Sequence, residues 1–405
     1  MGPILLADMN SFFASVTQAL EPELRNREVL IAGSRENRHG IILAASYPAK
    51  KKGVKTGMAI WEALLCAPQA ILRPPDFPSY LDYSSRMISI LRDFSPLVEP
   101  FSIDEAFIDL SGTAHILGSP RQIALQIKKR IFEELHITCS IGIGPSKVVA
   151  KMAAELEKPD GLNILTAEDV SIRLWPLPIK ELYGVGRQME KHLRGMGFRT
   201  IGDLAQSPPS LLQSRFGLIG LQLYQFANGR DSSSVDPNSL DSVKSIGHQL
   251  TLPKDYSELK DISLVLLELA EAVCRRLRLG FYTGRTISLF VKGADFSSLH
   301  RSKSIRLATD LPWTVHKQAL GLFKEHWPEG KPVRLLGISV GNLNISSSRQ
   351  LCLFDNQEKL CHTYDEIKNR FGETSLLRGS FLLETAVFYS DRRCHNMGRP
   401  PRSNL

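Results

Sequence analysis

Two acidic residues stand side by side inside an apolar stretch of the chain. Asp104 and Glu105 occur in LVEPFSIDEAFIDL, where a buried strand would otherwise be made of aliphatic side chains. Burying an unpaired charge costs several kcal/mol, so the fold must solvate this pair, hydrogen-bond it or neutralise it with cations. The stretch therefore predicts a cation site, with a pair of surface acids at a hairpin as the alternative.

The segments around this pair predict a sheet with helices between its strands. PILLAD is a short strand ending at Asp8, and Asn10 or Ser11 can cap the helix that follows. SPRQIALQIKKRIFEEL has a Ser cap, a Pro at its first helical position and an apolar residue every four positions. ITCSIGIG alternates as a strand, and SKVVAKMAAELEKP reads as a helix. This order matches a split βαβ, or ferredoxin-like, sheet.

On such a sheet Asp8 can meet the acidic pair from a neighbouring central strand. Adjacent strand residues face opposite sides, so Asp104 and Glu105 reach one site only at a strand end or twist. Three convergent carboxylates suit a hard cation such as Mg²⁺, which fills its remaining positions with water and substrate phosphates. Two such ions can activate an attacking oxygen and stabilise a leaving pyrophosphate.

Length and composition limit the class of protein. A chain of 405 residues predicts two to four domains. The N-terminus has no basic region, and Asp8 interrupts its apolar run, so we expect neither a signal peptide nor a membrane span. The six cysteines form no CxxC motif, which suits a reducing compartment and disfavours disulfides or zinc. We therefore expect a cytoplasmic protein.

The positive charge is concentrated in one quarter of the chain. The net charge is +8, and residues 243–345 carry 15 Lys/Arg against 9 Asp/Glu, about +6 of the excess. This concentration favours contact with a phosphate backbone, although each single Lys or Arg reads equally well as a solvated surface residue. The same segment alternates as four strands with two helical patterns between them, which predicts an open antiparallel sheet backed by helices.

Five motif-like segments occur in order along the chain: LLADMNSFFASV, ASYPAKKKGVKTGM, EPFSIDEAFIDL, SIGIGPSKVVAKMAAELEKPDG and LYGVGRQMEKHL. Together they resemble the motifs of the bacterial Y-family, or translesion, DNA polymerases of the polymerase IV and UmuC-like branches. The resemblance runs from about residue 3 to about residue 345. It implies a multidomain α+β protein with the right-hand arrangement of a polymerase: a ferredoxin-like palm, small fingers, a helical thumb and an α/β little finger.

The resemblance also implies domain boundaries. The palm would comprise 1–20 and 79–168, the fingers 21–78, the thumb with its helix-hairpin-helix 169–230, a polar linker 231–242, the DNA-binding little finger 243–345, and a C-terminal tail 346–405. Fingers of this size have little mass to close over a base pair. Low fidelity follows as a hypothesis.

The implied activity is template-dependent DNA synthesis past damaged bases, with two Mg²⁺ ions, deoxynucleoside triphosphates and primer-template DNA, by a monomer. A catalytically silent DNA-binding accessory protein would share the fold, but such a paralogue would be expected to lose the acids. A nucleotidyl cyclase also uses a ferredoxin-like palm with two metals, yet it would not need the basic C-terminal sheet.

Site residues can be placed by the same resemblance. Asp8, Asp104 and Glu105 match the catalytic, metal-binding acids, and Met9 matches a position whose backbone carbonyl helps to coordinate metal. Phe13 matches the steric gate, where a ring beneath the incoming sugar leaves no room for a 2′-hydroxyl. A core Phe on an amphipathic helix is the alternative for this residue.

Three further residues match contacts to the nucleotide's triphosphate. They are Tyr47, Lys50 and Lys158. The family more often has Arg where this chain has Lys50, and Lys lacks the bidentate fork, so Lys51 or Lys52 could substitute for it. The lysine run also reads as a solvated loop, and Lys158 also suits a helix C-terminus. Asn10 stands where the polymerase IV branch usually has a second Asp.

The remaining motifs concern partners. The turn Gly184, Val185 and Gly186 resembles a helix-hairpin-helix that offers backbone N–H groups to a DNA phosphate, although a plain helix connection would look similar. SSSRQLCLFDN resembles the peptide by which bacterial polymerases dock on the sliding clamp, through Gln350, Leu351, Leu353 and Phe354; a last little-finger strand is the alternative. Residues 362–384 are predicted to be helical and to face a partner.

Overall fold

The computed structural model describes residues 2–33, 40–241, 243–345, 357–383 and 385–387. The chain divides into two compact units, one made of residues 2–33 and 41–241 and the other containing the described residues from 243 on. Among the residues described, no helix is both long and apolar enough to cross a membrane. The finer boundaries between palm, fingers and thumb stay predictions.

The described residues form three β-sheets and fourteen α-helices. The strands are β1 (Ile4–Met9), β2 (Val29–Ala32), β3 (Ile42–Ala45), β4 (Ile71–Arg73), β5 (Val98–Pro100), β6 (Glu105–Asp109), β7 (Cys139–Gly144), β8 (Leu162–Ile164), β9 (Ser245–Tyr256), β10 (Tyr282–Gly293), β11 (Ser298–Thr309) and β12 (Val333–Ile345). The helices are α1 (Phe12–Leu20), α2 (Tyr47–Lys51), α3 (Ile60–Cys66), α4 (Phe77–Arg92), α5 (Ala114–Leu117), α6 (Pro120–Leu135), α7 (Lys147–Leu156), α8 (Arg187–Gly195), α9 (Ile201–Ala205), α10 (Pro209–Phe216), α11 (Leu218–Ala227), α12 (Leu259–Leu279), α13 (Pro312–His326) and α14 (Gln357–Phe371).

The first unit is built on a five-stranded sheet with the order β5-β6-β1-β7-β8. The central strand β1 pairs antiparallel with both β6 and β7, while β8 adds to β7 in parallel. The chain reaches β5 from β1 through α1 and α4, and reaches β7 from β6 through α6. These connections are those of a split βαβ sheet, so the ferredoxin-like prediction is confirmed.

The two faces of this sheet bury different helices. Leu5 and Ala7 of β1 join the core formed with α1, α4 and α6, whereas Leu6 packs with Ala150 of α7 on the opposite face. Because side chains alternate along a strand, Asp8 points to the same side as Leu6. The first predicted acid therefore lies on the α7 face of the sheet.

The local sequence explains two of the helices that pack on this sheet, one on each face. Ser119 accepts a hydrogen bond from the Gln122 N–H while the Gln122 side chain accepts from the Ser119 N–H, a capping box that starts α6 as predicted. Helix α7 lies unusually close to β7, since a Cβ at Gly142 would be 2.0 Å from the Ala150 carbonyl oxygen. Glycine at this position thus lets α7 approach the sheet.

A small three-stranded sheet, with the order β3-β2-β4, lies between α1 and α4 in the sequence. Together with α2 and α3 it encloses a cluster of nine buried residues, five of them alanine. So small a core gives this region little bulk. Residues 187–227 contain α8 to α11 with loops between them. The element before Gly184 is a single 3₁₀ turn, Ile179–Glu181, so the first helix of the expected hairpin is very short.

The segment predicted to be a linker is fixed to the first unit at Val235 and Asp236. Residues 231–241, all described, form turns but no helix or strand. Val235 is buried with Leu6 and Phe107, and the Asp236 N–H donates to Glu99 Oε2 at 2.7 Å. The composition predicted an irregular segment correctly, and the structure adds that it is held against the sheet.

The second unit contains an antiparallel sheet with the order β11-β10-β12-β9. Helices α12 and α13 share one apolar core with it, as the strand and helix patterns predicted. The helical prediction for residues 362–384 is confirmed up to Phe371, where α14 ends, and is wrong beyond it, where turns and a single 3₁₀ turn, Gly379–Leu382, follow. The prediction that this helix faces a partner is wrong for Asp365 and Lys368, which are buried; Asp365 binds Arg275 and Arg278 of α12.

Candidate active site

A cavity of about 270 Å³ opens where β1 ends and β6 begins. Its lining comes from both of these strands, from α1, β3 and α2, and from the loop after α7. The lining residues are Asp8, Met9, Ser11, Phe12, Phe13, Leu43, Ala44, Tyr47, Lys50, Thr56, Asp104, Glu105 and Lys158. All eight residues predicted to bind metal or nucleotide are therefore brought together in one cavity.

The three acids converge through strand register. Asp8 and Glu105 are direct partners in the antiparallel pair of β1 and β6, so their side chains share a face. Asp104 precedes β6, and its backbone carbonyl accepts a hydrogen bond from the Met9 N–H at 2.9 Å. The prediction that both members of the acidic pair reach one site at a strand end agrees with this geometry.

Two lysines form ion pairs with two of the three acids, Asp8 and Glu105. Lys158 Nζ donates to Asp8 Oδ2 at 2.7 Å and to Glu155 Oε1 at 2.9 Å. Lys151 Nζ donates to both carboxylate oxygens of Glu105, at 2.9 and 2.8 Å. Asp8 and Glu105 therefore each have a cationic partner, whereas Asp104 accepts a hydrogen bond from Ser102 Oγ.

Burial dominates the electrostatics of the acids. It raises the pKa of Asp8 to about 7, although Lys158 acts in the opposite direction. Burial also raises the pKa of Asp104, against the hydrogen bond that Ser102 Oγ donates to it at 2.6 Å. A site that makes its carboxylates costly to ionise favours a cation that can stabilise them.

The donor set fits a hard divalent cation. Asp8, Glu105 and Glu155 can place carboxylate oxygens within 4.8 Å of one another, and Asp104 lines the same cavity. Carboxylate oxygens are the ligands that Mg²⁺ and similar ions take in proteins. Glu155 was missed by the sequence reasoning; its one signal is its position three residues before Lys158, which lets the two side chains meet.

Lys50 is the member of the lysine run that reaches the cavity. Its Nζ donates to Ser11 Oγ at 2.7 Å and lies 4.9 Å from the centre of the Tyr47 ring. Burial and then Lys158 lower the pKa of Lys50. Lys52 instead pairs with Glu28 at 2.5 Å, and among the described lining residues the only lysines are Lys50 and Lys158.

Ser11 precedes α1 but does not cap it through its side chain, contrary to expectation. Its backbone is left-handed, with φ 48°, and its hydroxyl accepts from Lys50 instead. Asn10 is buried: its amide donates to Ser140 Oγ at 2.9 Å and its oxygen accepts from the Asp160 N–H at 2.9 Å. The amide at position 10 therefore holds the loop that carries Lys158.

Phe13 packs among aromatic rings and lines the cavity, and its role as a steric gate stays a prediction. Its ring stacks on Tyr80 with centroids 4.3 Å apart and meets the edge of Phe77 at 6.0 Å. The ring also lines the cavity. The aromatic neighbours hold it as a rigid wall.

The turn at residues 184–186 leads into α8. Gly184 has φ 90°, which favours glycine, and Gly186 is the N-terminal cap of α8. A Cβ at Gly186 would meet no described atom within 4 Å, so this helix N-terminus is open. Gln350, Leu351, Leu353 and Phe354 lie outside the described residues.

Comparison with known proteins identifies the family. Residues 7–155 match the impB/mucB/samB family, residues 243–353 match the C-terminal domain of that family, and residues 180–231 match a family described as the DNA polymerase-iota thumb domain. The chain is 50% identical over 388 residues to the DNA polymerase IV of Pelotomaculum thermopropionicum, covering 95% of this chain and 96% of that one. The chain belongs to the Y-family of DNA polymerases.

A second relative and a solved structure support the same family assignment. This Y-family polymerase is 41% identical over 405 residues to the DNA polymerase IV 2 of Bacillus subtilis, covering 98% of each chain. A solved Y-family DNA polymerase chimera of Dbh and Dpo4 matches it with a TM-score of 0.75 at 27% identity, over 85% of this chain and 99% of that one. The predicted family, fold class and enzyme class are confirmed. The alternative of a silent accessory protein gains no support.

Proposed function

We propose that this Y-family polymerase extends a DNA primer by translesion synthesis, with Asp8, Asp104 and Glu105 holding two Mg²⁺ ions. The observation that carries the proposal is the strand register that places Asp8 opposite Glu105, with Asp104 beside them at the mouth of one cavity. When bound, the ions would lower the pKa of the attacking 3′-hydroxyl and neutralise the triphosphate. The backbone carbonyl of Met9 is a further candidate ligand.

The cations of the cavity suit a triphosphate. Lys158 holds Asp8 in the absence of metal, and we propose that it turns to the phosphates once the carboxylate has a metal partner. Glu155, 2.9 Å from Lys158 Nζ, would keep this lysine close to the cavity during the exchange. On the other wall, Lys50 and the Tyr47 hydroxyl would bind phosphate oxygens through charge-assisted and neutral hydrogen bonds.

Phe13 is proposed as the residue that excludes ribonucleotides. A sugar seated in the cavity would meet a ring that Tyr80 and Phe77 hold from behind, so the ring cannot retreat from a 2′-hydroxyl. The small alanine-rich cluster beneath the three-stranded sheet supports the proposal of low fidelity. Little mass is available to close over and test the nascent base pair, so a damaged template base is tolerated.

DNA is proposed to contact two further regions. The open N-terminus of α8, at residues 184–186, offers backbone N–H groups to a phosphate. The basic residues of 243–345 suit the duplex backbone. We also propose the sliding clamp as a partner, through Gln350, Leu351, Leu353 and Phe354, and a monomer acting in the cytoplasm.

Single-nucleotide extension of a labelled primer, on undamaged and abasic templates with Mg²⁺, tests the proposal. The variant Asp104→Ala/Glu105→Ala should lose at least about 10³-fold in rate, since several kcal/mol of charge stabilisation disappear. Asp109→Ala, at the far end of β6, is the matched control and should extend like the wild type. Primer-template binding, followed by fluorescence anisotropy, should persist in all three proteins.

Two results would count against the proposal. A wild type that binds primer-template yet adds no nucleotide, even with Mn²⁺ and a clamp supplied, would restore the accessory-protein interpretation. Equal extension by the wild type and the double variant would show that these acids do not serve the reaction.

A further inference from the structure

Lys151 binds Glu105 but does not line the cavity. The described residues that line the cavity include Lys158 but not Lys151. The Lys151 and Glu105 side chains are 14% and 16% exposed, so their ion pair is largely shielded from water. Lys151 therefore holds a cavity-lining acid without being part of the lining itself.

Aromatic rings enclose the rest of the Lys151 ammonium. Its Nζ lies 5.4 Å from the centre of the Phe101 ring and 5.9 Å from that of Tyr183. The two rings contact each other edge-on, with centroids 6.1 Å apart. Since ring faces attract a cation, the ammonium is fixed between the rings and the two Glu105 oxygens.

A buried ammonium is a costly way to fill space, because a Met side chain of similar length would pack there without desolvating a charge. The charge becomes useful if the orientation of Glu105 matters. Without Lys151 the carboxylate could rotate about its side-chain bonds, and the two oxygens would no longer be presented to the cavity in one arrangement.

We propose that Lys151 is a positioning residue for the polymerase reaction, which fixes the Glu105 carboxylate in the orientation that metal-dependent chemistry needs. The inference rests on the proposed function of Glu105 as a metal ligand. The same residue has an opposite effect on metal affinity, because the lysine charge repels a cation bound at Glu105. Removing Lys151 therefore strengthens cation binding and at the same time slows the reaction.

Lys147 provides a matched control. It lies one turn earlier on α7, pairs with Glu99, and is similarly shielded, with the two side chains 10% and 13% exposed. Its Nζ also lies over a ring, 5.6 Å from the centre of Phe107. Glu99 is not among the described lining residues of the cavity, so Lys147→Met removes an equivalent buried ion pair without touching the site.

The test compares Lys151→Met, Lys147→Met and the wild type as full chains. Mn²⁺ binding is measured without DNA by electron paramagnetic resonance of the free ion, and kcat by single-nucleotide extension at saturating primer-template and nucleotide. Lys151→Met should lower kcat at least tenfold and lower the Kd for Mn²⁺ at least threefold. Lys147→Met should change kcat and the Kd for Mn²⁺ by no more than about twofold each. Circular dichroism shows whether either variant has lost folded protein.

Three outcomes would overturn the inference. They are an unchanged kcat in Lys151→Met, weaker Mn²⁺ binding together with slower extension, and equal effects of Lys151→Met and Lys147→Met. The last two are what a general loss of folding would produce. If the wild type itself adds no nucleotide, the proposed function fails, and this result is distinct because the wild-type rate is measured separately.

Discussion

Asp365 of α14 joins two buried arginines of α12, and its removal should destabilise the second unit. Its carboxylate accepts from Arg275 at 3.1 Å and from Arg278 at 2.6 and 3.0 Å. The side chains of these arginines are 9% and 6% exposed, and that of Asp365 is 10% exposed. Asp365→Ala would leave two guanidinium groups short of a partner in a shielded environment.

The expected cost follows from the partners that remain. Breaking a buried pair by removing one member costs roughly 3 to 5 kcal/mol, because a buried charge loses its compensation. Arg275 would keep Glu373, whereas Arg278 would keep the Asp310 carbonyl oxygen at 2.8 Å. Because both arginines keep these partners, we expect a loss of stability at the lower end of this range, about 3 kcal/mol.

Hydrogen exchange read by mass spectrometry can measure this cost within α12 of the full chain. A loss of about 3 kcal/mol corresponds to exchange about 10²-fold faster in the most protected amides of α12. Glu373→Ala is the matched control, since Glu373 also pairs with Arg275 but is 44% exposed. It should cost about 1 kcal/mol or less. Equal costs for the two variants would refute the argument from burial, and β1 should be unaffected in both.

Three further predictions concern the first unit. Phe13→Ala should raise ribonucleotide incorporation at least about tenfold relative to deoxynucleotide incorporation in primer extension, because the clash disappears; an unchanged ratio would assign Phe13 to the core alone. Burial raises the pKa of Asp8 to about 7, so a cation that binds at lower pH must displace a proton from this carboxyl group. The affinity for Mn²⁺ should therefore fall by up to about tenfold per pH unit from pH 7 to pH 5. An affinity that does not change with pH would show that Asp8 is not a ligand with a raised pKa. Val235→Ala should remove about 1.5 kcal/mol of the free energy that burial of this side chain contributes, so limited proteolysis within 231–241 should become about tenfold faster. An unchanged cleavage rate would show that other contacts hold the segment.

Local patterns predicted the scaffold of the site well, because they record the constraints that act within one element. The strand ending near Asp8, the Ser119 cap and the order of elements around the acidic pair all depend on neighbours in sequence. Period-2 alternation then required Asp104 and Glu105 to lie at a strand end, and the structure starts β6 at Glu105.

Contacts between distant residues were beyond such patterns. Lys158 meets Asp8 across 150 positions and Lys151 meets Glu105 across 46, and either lysine alone reads as an ordinary helix residue. The left-handed backbone of Ser11 was not predicted, and neither was the bond of its hydroxyl to Lys50, 39 positions away. The burial of Asp365 was not predicted, because the arginines that bind it lie about 90 positions away on α12.

The lysines beside the acids give the protein its own internal counter-ions. In a classical zinc finger the metal supplies the folding energy, so the apoprotein is unfolded. Here Lys158 and Lys151 already compensate Asp8 and Glu105, and at Asp8 cation binding becomes an exchange of one positive partner for another. The chain can therefore fold before it meets a metal, and a chelator should silence the enzyme reversibly while its melting curve stays almost unchanged.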